Sequence, residues 1–146
     1  MRADLYAVKT LFQRALYAWF IADGDMHLKN LALLKTAEEG ADHFASVRFA
    51  PAYDAVTTRV FPRLEHDRMA LKLNGRDDNL SPEDFEILAR TIELPARWAA
   101  QCMSTMARSI SDAVGTLVLP EGYRLAGDRI LDRLRDIVNG RLGPFI

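Results

Sequence analysis

Leu5, Val8, Leu11, Phe12, Ala15, Leu16, Trp19 and Phe20 recur at steps of three and four. That spacing places them on one stripe of a helix over about 3–22, and Gly24 is expected to stop it. A short apolar strand is expected over 31–35. The polar stretch TAEEGADH over 36–43 reads as a loop, and SVRFAP as a second strand ended by Pro51, so the two strands form a hairpin. AYDAVTTRVFP is mixed and loop-like. MALKLN, 69–74, alternates again and predicts another strand, followed by the turn cluster GRDDN.

The texture then becomes helical. Ser81-Pro82-Glu83-Asp84 is a helix start, with serine at the cap, proline in the first turn and an acid at the third position. Phe85, Leu88, Ala89 and Ile92 supply the buried stripe of that helix. Leu94-Pro95 opens the next, running to about Gly115, with Trp98, Cys102, Met106, Ile110 and Val114 along it. Pro120 and Gly122 separate a last helix with Leu125, Ile130, Leu131, Leu134, Ile137 and Val138 on its apolar face. The expected fold is mainly α, with a few short β-strands near the polar centre.

Composition narrows the class. A chain of 146 residues, 49% of them hydrophobic, suits one domain with a real core. Nineteen basic and 20 acidic side chains give a net charge of −1, which offers no electrostatic case for direct nucleic-acid or anionic-membrane binding. The single cysteine, Cys102, excludes an internal disulfide, fits a reducing compartment and is expected in the core. The start MRADLYAVKT lacks a signal-peptide plan, and the longest apolar run, 15–22, is far short of a membrane span. A cytoplasmic, soluble chain is expected.

The chemistry concentrates in IADGDMHLKNLALL. Asp23, Asp25, His27, Lys29 and Asn30 crowd between two apolar segments. Asp25 and Asn30 have the spacing of a phosphoryl-transfer loop, in which a carboxylate accepts the attacking hydroxyl's proton and a carboxamide oxygen helps hold magnesium. A second carboxylate must complete the cation site. PAYDAV supplies Asp54, and a hairpin would return Asn30 and Asp54 to one edge. His27 could orient Asp25 or support the loop, and Lys29 could steady a phosphate or pair with Asp25. A polar turn with solvated charges is the plain alternative. A zinc site lacks nearby cysteine, and a calcium loop lacks its glycine, because Leu28 stands there. His43 and His66 are expected at the surface.

These residues resemble a family. DGDMHLKNLALL followed by PAYDAVTT is similar to the C-terminal lobe of the HipA-type serine/threonine kinases, the toxin kinases of bacterial toxin–antitoxin modules. MALKLNGRDD resembles the strand and turn that follow in that family. The motif-grade likeness spans about 23–54. It implies a protein-kinase-like C-terminal lobe over 1–146, with Asp25 as catalytic base and Asn30 and Asp54 as magnesium ligands. His27 and Lys29 match loop positions, Lys29 also facing ATP. The implied cofactors are Mg²⁺ and ATP, and the implied activity is transfer of the γ-phosphate to a protein hydroxyl.

Only 24 residues precede Asp25, with one lysine, Lys9, and the chain has no Gly-x-Gly-x-x-Gly. The N-terminal ATP-binding lobe is therefore expected to be absent, and the isolated lobe inactive without it. A HipB-like DNA-binding antitoxin, a separate N-lobe and self-association are the implied partners. Two other readings use the same residues. One is a binding or regulatory module without its own activity. The other is a small-molecule phosphotransferase of the aminoglycoside or choline kinase type, whose loop Gly24, Asp25, His27 and Asn30 also match. Lys29 beside Asn30 and Tyr53 before Asp54 favour the HipA side.

Overall fold

A computed structural model describes residues 4–121 and 124–146, and the side chains of the last helix from 129 onward. Asp4 caps the first helix, α1 (Leu5–Phe20), by accepting the Tyr6 N–H at 3.1 Å. Its stripe buries Phe12, Leu16, Trp19 and Phe20. Gly24 is not what ends it. Ile21 caps the helix, and Ala22 adopts a left-handed φ of 57° that turns the chain away.

A 3₁₀ turn, Leu28–Asn30, leads into β1 (Leu33–Thr36), which pairs antiparallel with β2 (Ser46–Phe49). The register sets Leu33 opposite Phe49, Leu34 opposite Arg48, Lys35 opposite Val47 and Thr36 opposite Ser46. The expected hairpin is present, but it lies outside the core: every β1 residue is exposed. Residues 69–74 do not form the expected strand. Their alternation is real, with Met69 buried, but no strand lies alongside among the described residues. Only Leu73 and Arg76 bridge, closing a tight turn through Asn74 and Gly75, both at positive φ.

The helices after that turn form where the caps place them. α2 (Pro82–Thr91) starts with the Asp84 carboxylate accepting from the Ser81 N–H at 2.8 Å. α3 (Ala96–Thr116) follows Pro95, and α4 (Arg124–Leu142) runs into a last 3₁₀ turn, Gly143–Phe145. The buried face of α3 is Ala99, Met103, Ala107, Ile110 and Val114, with Trp98, Cys102 and Met106 only partly buried beside it. A constant step of four drifts about 40° per step around a helix of 3.6 residues per turn, so the expected row leaves the core at its N-terminal end. On α4, Val138 is fully buried, while Ile130 is exposed. Gly122 and the Leu125 side chain lie outside the described residues.

One core joins these helices. Phe12, Phe85, Phe20 and Phe145 meet edge to face, with centroids 6.1 Å apart for Phe12–Phe85 and 4.9 Å for Phe20–Phe145. Val138 and Leu142 close it from α4. α1 thus has one end anchored in aromatic packing and delivers the polar loop rigidly from it.

Candidate functional site

The loop after α1 is folded by its own polar groups. Asp23 is buried and accepts the Asp25 N–H at 3.1 Å, closing a turn. Burial pushes the Asp23 carboxyl above its ordinary value, and the backbone hydrogen bonds from Asp25, Val56 and Met26 offset that only in part. The turn lifts Asp25 to an exposed position at the loop tip. Gly24 is held where a side chain would not fit. A Cβ there would press into the Asp67 carboxylate and come within 2.7 Å of Thr58 Oγ1. Thr58 Oγ1 accepts the Gly24 N–H at 3.1 Å and donates to the Ala22 carbonyl at 3.2 Å.

Asn30 is the second anchor. It is buried, and its Oδ1 accepts the His27 N–H at 2.8 Å. Its Nδ2 donates to Asp54 Oδ2 at 3.0 Å, across 24 residues of chain. Asp54 sits at a left-handed φ of 56°, a conformation aspartate tolerates better than most residues. The Tyr53 hydroxyl donates to the Lys29 carbonyl, tying the two segments a second time. Lys29 projects its side chain outward, and His27 is half-buried, with an Nδ1 that has no partner among the described residues. The hairpin therefore brings Asn30 and Asp54 together, and Asp25 stands on the same loop.

No group of three His, Cys, Asp or Glu side chains gathers among the described residues. Magnesium does not require one, since it is held by one or two protein oxygens with water and phosphates completing the shell. Asn30 Oδ1 keeps a lone pair beyond the His27 bond, and Asp54 keeps its second oxygen. The donor set fits that cation.

Behind the loop lies a polar network that sequence reasoning missed. Arg59 Nε donates to the Asp67 carbonyl at 2.6 Å, and its Nη2 pairs with Asp78 at 2.9 Å. Arg141, buried at the end of α4, donates to the Trp19 carbonyl at 2.7 Å, stacks 3.9 Å over the Trp19 ring and reaches Asp78 at 3.6 Å. Burial and the Arg59 charge lower Arg141 to about 10 against the pull of Asp78, so it stays protonated at neutral pH. No periodicity or motif could reveal contacts between residues 122 positions apart.

The other candidates fall where solvent reaches them or away from the loop. His43 and His66 are exposed. Cys102 is half-buried in a cavity of about 440 Å³ between α1 and α3, and burial pushes its thiol up. No described helix is long and apolar enough to cross a membrane.

The HipA-like C-terminal domain model matches residues 2–114, which contain the loop, the hairpin, α2 and nearly all of α3. The chain belongs to that family. HipA-like C-terminal domains occur in toxins of toxin–antitoxin systems. Among solved structures, the chain is similar to HipA from Shewanella oneidensis MR-1, solved as a complex of HipA, HipB and its operator DNA, with a TM-score of 0.67 at 17% identity. The match covers 90% of this chain and 30% of that one. At that identity the likeness speaks for the fold, which is the mainly helical HipA C-terminal fold with its small two-stranded sheet. No curated protein matches the chain.

Proposed function

We propose that this HipA-like domain is the catalytic lobe of a serine/threonine protein kinase, the toxin of a toxin–antitoxin module. Its site would accept Mg²⁺-ATP and a protein hydroxyl. The observation that carries the reading is the 3.0 Å bond between Asn30 and Asp54, which pairs the two expected cation ligands beside Asp25. Asp25, exposed at the loop tip, takes the proton of the attacking seryl or threonyl oxygen. Asn30 Oδ1 and the free oxygen of Asp54 hold the cation, which when bound neutralises charge on the phosphates. Lys29 steadies a phosphoryl oxygen, and His27 supports the loop from Asn30's side. Asp23, Thr58 and Gly24 fix the loop in advance, so that little reorganisation remains at reaction.

An ATP-covering lobe, and a HipB-like DNA-binding antitoxin as partner, belong to the same proposal. The whole lobe acts as one kinase-like unit over 1–146. Calorimetric titration of this chain with Mg²⁺ and ATP tests the reading. Magnesium-dependent binding that weakens about tenfold or more in Asp54→Asn is the expected result, the usual size of a lost charged ligand contact. Identical binding by the two chains would overturn the assignment of Asp54, and no binding by either would overturn this lobe as a nucleotide site by itself and favour the binding-module reading.

A further inference from the structure

On the face of the hairpin turned toward α1 lies a second cleft, of about 350 Å³, walled by Tyr6, Thr10 and Arg14 on one side and Leu34, Arg48 and Phe49 on the other. Two arginines line it and no acidic residue does. Neither Arg14 nor Arg48 forms an ion pair among the described residues. Arg14 is the more telling. Its guanidinium lies over the Phe49 ring at 5.0 Å, and its Nη2 donates to the Ala50 carbonyl. Its Nη1 is buried with no hydrogen-bond partner. The side chain as a whole is half-buried, so the rest of the guanidinium shares the cleft with exposed Arg48. The chain as a whole is slightly acidic, at −1, so this local positive charge is not a bulk property.

The mouth of the cleft is apolar. Tyr6 is 69% exposed and Leu34 39%, and Leu34 faces Arg48 across the strand pair. The Thr10 hydroxyl already donates to the Tyr6 carbonyl at 2.9 Å and Arg14 Nη2 to Ala50, which leaves exposed Arg48 as the chief free donor, with the Arg14 charge beside it. We infer that this cleft docks an acidic polypeptide segment. Its carboxylate sits between Arg14 and Arg48 as a fork-like pair, and its apolar neighbours cover Tyr6 and Leu34. The apolar rim argues for a chain-borne carboxylate over a free ion, because a small anion would leave that rim uncovered.

Selection of random displayed peptides on the purified chain tests this. Enriched peptides are expected to carry aspartate or glutamate flanked by apolar residues. A synthetic representative should lose about tenfold in affinity when its acid is replaced by the amide, and again on Arg48→Gln, a change on an exposed strand that spares the fold. Arg14 also lines the pocket of Asn30 and Asp54, so the discriminating pair is Arg48→Gln, which weakens the peptide, and Asp54→Asn, which does not; that contrast separates this site from the proposed kinase centre. Enrichment without acids, no enrichment, or affinity indifferent to Arg48→Gln would overturn the docking site. Inorganic phosphate alone perturbing the Arg14 and Arg48 NMR signals as tightly as the peptide would overturn the polypeptide as occupant.

Discussion

Asp25 and Gly24 are neighbours with opposite demands. Asp25 needs solvent and a substrate, and nothing in the fold holds its side chain back. In a complete kinase carrying this lobe, we expect Asp25→Asn to lower turnover about 10²–10⁴-fold, the usual share of a general base, with the substrate KM little changed. Near wild-type steady-state turnover would remove Asp25 from that role. Gly24 needs the lack of a side chain, since Thr58 Oγ1 would stand 2.7 Å from a new Cβ and Asp67 closer still. Gly24→Ala should therefore cost about 1–3 kcal/mol, by overpacking. Denaturant unfolding would show it, and a variant as stable as the parent would mean that the loop yields freely. The sequence suggested Gly24 as a helix stop, but a close approach from distant Asp67 is what requires it.

At the scale of elements, the loop rests on a strut made of α4 and the turn before α2. Burial opposes ionisation of Asp78, but hydrogen bonds from Arg59 and the Asn79 backbone and the charges of Arg59 and Arg141 outweigh it, so its pKa is lowered. Asp84, bonded to Ser81 and close to Arg76, is lowered for the same kind of reason against the same burial. A carboxyl whose folded pKa is depressed stabilises the fold above its unfolded pKa. That contribution is lost as pH falls through the folded one. Stability should thus decline as pH drops below about 4. Asp78→Asn should flatten that decline and cost about 3 kcal/mol at neutral pH, because Arg59 and Arg141 lose their shared partner. Unfolding midpoints measured across pH 2–7 give the answer, and an acid limb unchanged by the substitution would count against the strut. The hairpin contrasts with all this. Its pairing was legible from alternation and turn residues, but its exposure was not, since alternation cannot say whether anything covers the apolar side.

For the whole molecule, the aromatic cluster joins chain segments that begin and end far apart. Phe145 packs edge to face on Phe20 and Phe85, with centroids 4.9 and 5.8 Å away. It is 8% exposed, held in the last 3₁₀ turn. Phe145→Ala should cost about 3–4 kcal/mol, as for other buried aromatics, and lower the thermal midpoint by several degrees. A shift of less than a degree would show that the C-terminal turn is dispensable.

The sequence by itself determined the local parts. Helical periodicity, the Ser81 start and the turn residues are short-range effects, fixed by φ/ψ preference and by side chains reaching their own backbone. The grouping of Asp25, His27, Lys29 and Asn30 was legible for the same reason, since it needs only one loop. The pairing of Asn30 with Asp54 was inferred through the hairpin, because a short hairpin returns its ends to one place. Tertiary structure alone decided the rest. It set which face of α3 is buried, that 69–74 turns instead of pairing, and that Thr58, Asp67, Asp78 and Arg141 brace the loop. Those outcomes depend on which distant segments meet, and contacts made across the fold leave no periodic trace along the chain.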